Sequence, residues 1–206
     1  MRRFLPIGLL VSGRGSTLES IDNAIKVDNL PVRVMIVISD RAQAPAVNLS
    51  RQLGFQTVVL PFQADARELW ATDVTHELVM AGVELVVLAG LRSILPPGFV
   101  REWEGRVINV HPSLLPKFGG KGMYGPRVHE AVLRAGEHVT GATVHIVTEE
   151  VDAGPILAQA TVEVIPGDTP ETLERRLRPV QRSLYIDIIR QFAEGKLPLP
   201  WRRPGS

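Results

Sequence analysis

Apolar residues recur along this chain with two alternating periods, and the alternation predicts the class of fold. Ile7–Val11 is a short apolar run closed by the glycine-rich turn Ser12–Gly15, after which Leu18, Ile21, Ala24 and Ile25 mark a helix over 16–25. Val32–Ser39 is continuous and β-branched, the pattern of a parallel strand buried on both faces. Ala44–Leu53 then reads as a helix that Gly54 ends. A third strand over 55–60, a long helix over 66–80 and a fourth strand over 84–90 continue the series, and a short helix over 97–103 leads to a fifth strand at 106–110. Such alternation predicts an α/β fold: a single doubly wound, mostly parallel sheet flanked by helices.

Beyond Pro116 the pattern changes. Lys117–Gly125 holds four glycines in nine residues and is expected to be a mobile loop. A helix follows over 127–135, and then two β-rich runs, 140–148 and 156–165, suit an antiparallel, hairpin-like C-terminal addition to the sheet. The last helix is expected from 169 to about 192, with Pro179 implying a kink or break. The expected organisation is one domain over 1–195 and a loosely ordered tail over 196–206.

Composition narrows the function. With 206 residues and 45% apolar content the chain can bury one sizeable core. Twenty-three basic against 22 acidic side chains give a net charge of +1, so no global field marks nucleic acid or a membrane surface as partner. The absence of cysteine rules out disulfides and thiolate metal sites and fits a reducing cytoplasm. Met1–Val11 places basic residues before an apolar run, but Pro6 and Gly8 interrupt it, and it reads as a first strand rather than a signal peptide.

Candidate chemistry gathers on the fifth strand. Within Arg106–Pro116, Asn109 and His111 stand two residues apart and so share one face. Pro112 disfavours helix at His111 and has no N–H for the ladder, so the strand ends with the imidazole at its exit. A carboxamide beside an imidazole is a donor pair suited to a carbonyl oxygen that gains charge. Asp152, within Val151–Pro155, is in its ordinary role a turn former. Its functional reading is a carboxylate that faces His111 and raises the ring's pKa above the usual ~6.5, keeping it protonated. The turn Ser12–Thr17 can hold a phosphate on backbone N–H groups and the Ser16 and Thr17 hydroxyls, the simpler alternative being a tight turn with a serine N-cap. A dinucleotide fingerprint with Asp40 as ribose acid fails because its third glycine position is Leu18, and no Gly-Lys-Ser or Gly-Lys-Thr occurs. His76 and His129 read as surface groups, and His138 as a turn residue. His145 alternates within a strand, which allows a place buried near the site, but reads first as a satisfied core histidine. No spacing of histidines and acids makes a metal set. Arg67 and Arg92 are candidate anion contacts, against the alternative of ordinary solvated arginines.

Asn109-x-His111-Pro-Ser-Leu-Leu-Pro116, followed about forty residues on by Val151-Asp-Ala-Gly-Pro155, resembles the folate-dependent formyltransferases over about residues 7–195. The Val11-Ser-Gly-Arg-Gly-Ser-Thr-Leu18 segment looks most like the members that act on glycinamide ribonucleotide. The resemblance implies the formyltransferase fold and, without a metal, transfer of the formyl group of the co-substrate 10-formyltetrahydrofolate to the amine of that ribonucleotide in purine biosynthesis. It implies Asn109, His111 and Asp152 as the catalytic trio. Gly15, Ser16 and Thr17 match the phosphate contacts and Gln181 a further substrate contact. Arg67, Arg92, Ser93, Ile94, Leu95, Asn109 and Thr148 match the folate contacts. The chain departs from the family pattern at Thr17, commonly Asn, at Arg92-Ser93, commonly Met-Arg, at Gln181, commonly Glu, and in a longer Gly119–Gly125 loop. The implied partners are small molecules, with a homodimer one expected assembly. Three rivals are weighed. A tRNA-directed formyltransferase would need an added RNA-binding domain, for which no residues are expected to remain. A formyltetrahydrofolate deformylase would use water as acceptor and matches less well around Pro112-Ser113, without its usual amino-terminal regulatory domain. A non-catalytic folate- or nucleotide-binding module would keep the glycine turn without the trio.

Overall fold

The computed structural model describes residues 4–202. Its elements follow the expected alternation: β1 (Leu5–Val11), α1 (Ser16–Lys26), β2 (Val32–Ser39), α2 (Pro45–Gln52), β3 (Thr57–Val59), α3 (Arg67–Met80), β4 (Leu85–Leu88), α4 (Pro97–Glu102) and β5 (Val107–His111). Then come α5 (Pro126–Arg134), β6 (Val139–Ile146), β7 (Ile156–Glu163) and α6 (Pro170–Ala193). The seven strands lie in the order β3-β2-β1-β4-β5-β6-β7. The chain divides into two compact units, one running to Ile108 and resuming at Arg190, the other spanning Asn109–Ile189.

In the first unit β1 pairs in parallel with β2 and β4, β2 with β3, and β4 with the first residues of β5. Leu9, Ile36, Val37, Val86 and Val87 are buried, which is why these strands read as unbroken apolar runs. Leu18, Ile21, Val74 and Leu78 supply the buried helix faces, each such side chain contributing about 1.5–3 kcal/mol. The chain steps from β1 through β2 to β3, then returns to the other side of β1 as β4. Strand order therefore reverses between β1 and β4, and in open α/β sheets ligands bind beyond the carboxyl ends of strands at such a point. The tail departs from its expected looseness as far as Trp201, whose backbone N–H donates to the Gly105 carbonyl at 2.8 Å. Residues 203–206 lie outside the described residues, as do Met1–Arg3.

In the second unit β6 and β7 form the expected antiparallel pair, from Val139↔Glu163 to His145↔Ile156 with a register shift after Val144. Val128 and Val132 bury one stripe of α5, and Leu173, Leu177, Tyr185 and Ile188 one stripe of α6. Two expectations change here. Helix α6 continues through Pro179 as one 24-residue helix, so the proline does not break it although a backbone donor is lost. His129 is 2% exposed rather than a surface group, because it packs inward on α5 within the electrostatic reach of Glu174 on α6. No helix among the described residues is long and apolar enough to cross a membrane.

Candidate active site

Strand β5 ends at His111, where Pro112 removes the next donor, and the imidazole is 4% exposed. The chain after it is fixed by a buried hydroxyl: Thr143 Oγ1 donates to the Ser113 carbonyl at 2.7 Å and accepts the Leu115 N–H at 3.0 Å. Gln159 Nε2 donates to Thr143 Oγ1 and to the Leu115 carbonyl, and Ser113 Oγ donates to the Lys117 carbonyl at 2.7 Å. That brace delivers the start of the glycine-rich loop to the site. The Phe118 carbonyl lies 2.8 Å from His111 Nε2, and the Gly120 N–H donates to Asp152 Oδ2 at 3.0 Å. The segment expected to be mobile is thus anchored at its first residues to two of the three candidate catalytic side chains.

Asp152 faces His111, its Oδ2 lying 3.4 Å from His111 Nδ1. The residue adopts φ 58°, a left-handed conformation that Asp tolerates better than most residues. Its other oxygen lies 3.6 Å from His145 Nε2. His145, 2% exposed on β6, sits at the site rather than in a remote core. Its Nδ1 is 3.0 Å from the Ile146 carbonyl, so a proton belongs on that nitrogen. Asn109 Nδ2, 3.2 Å from His145 Nε2, pairs with that nitrogen. The carboxamide orientation follows from that pairing, with one N–H still free for another acceptor. One carboxylate therefore lies between two buried imidazoles, one of which holds Asn109.

Burial dominates the charge state of His111 and pushes its pKa below the ordinary imidazole value of 6.5. The Asp152 carboxylate and the Phe118 carbonyl pull upward without prevailing, and His145 adds to the downward push. The expected protonated ring is therefore corrected: His111 rests neutral, with its proton on Nε2 towards Phe118 and its Nδ1 lone pair facing Asp152. Burial also raises the Asp152 pKa, but the His145 and His111 rings and the Gly120 N–H outweigh it, so the group stays a carboxylate, below its usual 3.8. Burial lowers His129 as well, against the upward pull of Glu174, and its Nδ1 is buried without a partner.

The remaining candidates of this unit lie apart from these contacts. Thr148 is half-buried and donates to the Glu150 carbonyl at 3.1 Å, while Gln181 is half-buried on α6.

In the first unit Gly15, not a serine, is the N-cap of α1, with φ 86° and no side-chain cap, and Ser16 is the first helical residue. A Cβ at Gly15 would lie 2.9 Å from Leu49 Cδ2 and 3.2 Å from the Ala46 backbone, so glycine is required by conformation and space together. The first N–H groups of α1, at Ser16 and Thr17, have no carbonyl one turn earlier and suit an anion. Across the point of strand reversal the Arg92 N–H donates to Ser12 Oγ at 2.7 Å. Ser93 donates to Asp40 Oδ2 at 2.5 Å, which turns the 3% exposed Asp40 inward and away from a ribose-binding role. Ile94 is exposed and Leu95 buried. Arg67 opens α3 with its side chain 55% exposed and Nε 3.8 Å from Glu68. Among the described residues no group of three or more histidine or acidic side chains is placed to hold a metal ion.

His145 is the residue that sequence reasoning undervalued: its period-two alternation with Thr143 indicated a shared buried face but not what that face meets. The Phe118 carbonyl and Gly120 N–H left no residue-type signal at all, since any residue carries them.

Comparison with known proteins matches residues 6–189 to a family described as formyl transferase. A phosphoribosylglycinamide formyltransferase from Escherichia coli K12 is 38% identical over 194 residues, covering 94% of this chain and 89% of its own. The crystal structure of glycinamide ribonucleotide transformylase 1 from Symbiobacterium toebii is 36% identical with a TM-score of 0.87, covering 97% of this chain and 92% of its own. A formyltetrahydrofolate deformylase from Pseudomonas syringae superposes with a TM-score of 0.85 at 28% identity, covering 95% of this chain and 63% of its own.

Proposed function

The chain belongs to the formyl transferase family, and from that premise we propose that it transfers the formyl group of 10-formyltetrahydrofolate to the amine of glycinamide ribonucleotide in purine biosynthesis. The observation that carries this reading is the Asp152 carboxylate between the buried His111 and His145 rings, with Asn109 held by His145. Asn109 donates its free N–H to the formyl oxygen as that oxygen gains charge under attack by the amine. Asp152, whose Oδ2 faces the Nδ1 lone pair of His111, takes the proton of the attacking amine and shares it with that nitrogen. The Asp152–His111 pair then returns the proton to the folate nitrogen as the bond from that nitrogen to the formyl carbon breaks. His145 orients both Asn109 and Asp152.

Gly15, Ser16 and Thr17 bind the ribonucleotide phosphate, a reading supported by the uncapped start of α1. Gln181 is a further substrate contact. The Arg92–Leu95 segment, with its backbone tied to Ser12, is a folate contact, as is Thr148, and Arg67 meets the anionic end of the folate. The fit rests on chemistry present in the chain: the exposed Ile94 offers an apolar surface and the half-exposed Arg67 a guanidinium. The family match over 6–189 supports reading 1–195 as one formyltransferase domain followed by the tail 196–206. We further propose a cytoplasmic protein that forms a homodimer, the latter testable by sedimentation.

The structural likeness to a deformylase makes water the rival acceptor. Absorbance-monitored release of folate product, with and without glycinamide ribonucleotide, separates the readings. Product that requires the ribonucleotide supports the transferase. Product formed equally without it makes the chain a deformylase, and no product under either condition leaves a binding module.

A further inference from the structure

One residue joins the exits of the first four strands. Asp40, directly after β2, donates its backbone N–H to the Val11 carbonyl of β1 at 3.3 Å and accepts the Phe62 N–H, just beyond β3, at 3.0 Å. Its side chain reaches beyond β4, where Oδ2 accepts from Ser93 Oγ at 2.5 Å. The turn that aims it is fixed locally: the fully buried Ser39 Oγ accepts the Arg41 N–H at 3.2 Å and donates to the Arg41 carbonyl at 2.9 Å. An acid is rarely buried to 3% exposure unless it is paired, and here the second oxygen has no partner among the described residues. Such an arrangement costs stability, so the side chain is better explained by what it holds than by what it contributes to folding.

What it holds is the segment after β4. Residues 89–96 run to α4 without regular structure, and Pro96 and Pro97 have no N–H to anchor them. Leu95 is buried, and among the described residues two hydrogen bonds fix 91–95: Ser93 to Asp40, and the Arg92 N–H to Ser12 Oγ at 2.7 Å. Ser93 is a position at which the chain departs from the family pattern, and its hydroxyl proton is committed to Asp40.

We propose that Asp40, acting through Ser93, is a positioning residue that holds the Arg92–Leu95 segment in the conformation that receives the folate. This rests on the folate reading of that segment and goes beyond it, because the buried Asp40 touches no substrate itself. A segment in its binding conformation for only a fraction of the time binds with affinity reduced by that fraction. One hydrogen bond of ordinary net strength shifts such a balance about tenfold. The loss falls on the folate KM rather than on kcat, since bound folate itself holds the segment in place.

The full chain is compared with Asp40→Ala, Ser93→Ala, their double variant and Asp40→Asn, by kinetics with 10-formyltetrahydrofolate and glycinamide ribonucleotide and by amide hydrogen exchange at Arg92. Asp40→Ala and Ser93→Ala should each raise the folate KM about tenfold, with kcat and the ribonucleotide KM within about threefold of the parent, and the Arg92 amide should exchange about tenfold faster. The double variant should be no worse than either single one, because all three remove the same contact. Asp40→Asn keeps an acceptor oxygen for Ser93 and should restore both the folate KM and the exchange rate. If Asp40→Ala does not fold, Ser93→Ala, a change at a half-buried position, carries the same expectation. An unchanged folate KM, an equal effect on the ribonucleotide KM, additive losses in the double variant, or no restoration by Asp40→Asn would each overturn the positioning role. A parent chain that turns over no folate would instead overturn the formyl-transfer reading and with it the folate role of the segment; exchange at Arg92 would still decide the anchor, which falls if Asp40→Ala leaves that rate unchanged.

Discussion

Gly154→Ala probes the site through a single methyl group. A Cβ at this position would stand 1.8 Å from the Ile146 carbonyl oxygen, 2.9 Å from the carbonyl carbon and 3.1 Å from Thr148 Cγ2. Cβ contacts below 3.0 Å essentially do not occur. The shortfall, 3.0 less 1.8 Å, is about 1.2 Å, and it must come from backbone because the obstructing atom is a main-chain oxygen. That oxygen accepts from His145 Nδ1, and the Ile146 N–H is bonded to Pro155, so the clash cannot be relieved without moving β6 or the turn that bears Asp152. Either movement alters the 3.4 Å approach of Asp152 to His111 and the hold of His145 on Asn109. A displacement near 1 Å can cost about 10²-fold in rate. Overpacking of this kind typically costs about 1–3 kcal/mol. For a chain of this size that is a fall in Tm of roughly 2–12 °C. Folate product formation at saturating ribonucleotide should therefore drop about 10²-fold in kcat in a variant that still melts cooperatively. The neighbouring, exposed Ala153→Ser should leave both quantities unchanged. A folded Gly154→Ala protein with kcat within about threefold of the parent would refute the claim that this turn sets catalytic geometry.

The remaining predictions concern charge. Because burial holds His111 below 6.5 and the reaction needs its neutral form, the acid limb of the kcat/KM profile should have its midpoint below 6.5, and His111→Asn should remove the limb while reducing turnover about 10²–10³-fold. A limb centred above 6.5 would restore the protonated ring. His111 and His129 are both depressed in the folded chain, so the unfolded chain binds more protons below 6.5, and the stability present above that pH is lost as pH falls through the folded values. Thermal melts should show Tm declining over that acid window, less steeply in His129→Gln; an unchanged slope would contradict a buried neutral His129. His145→Ala should free Asn109 and let the Asp152 pKa rise, lowering kcat about 10–100-fold, as loss of an orienting partner typically does, with little change in either KM. Ser16→Asp should raise the ribonucleotide KM about tenfold or more through like-charge repulsion and leave the folate KM near its starting value; equal effects would remove the phosphate from the start of α1.

Much of this architecture is legible in local pattern. The continuous β-branched run gives β2 its observed bounds, Val32–Ser39, because its second half, Ile36–Ser39, is buried on both faces and can hold little else. Pro112 ends β5 at His111, and the period-two rule puts Asn109 on the same face, since both depend only on backbone sterics and pleat. Local pattern misleads where packing overrides propensity, at Pro179 within α6, at the inward-facing His129 and at Trp201, whose backbone finds Gly105.

What the sequence by itself determined is the order and type of the elements, the placement of the Asn109 and His111 pair and the family to which the motif belongs. These follow from short-range periodicity and from residue identities that chemistry constrains. Only the tertiary structure decided that His145 and the Phe118 carbonyl join the site, that Asp152 reaches two rings at once, and that His111 rests neutral. Distance between segments and loss of water around a titratable ring are properties of the packed chain, and the cost of desolvating His111 exceeds the attraction of the one carboxylate beside it.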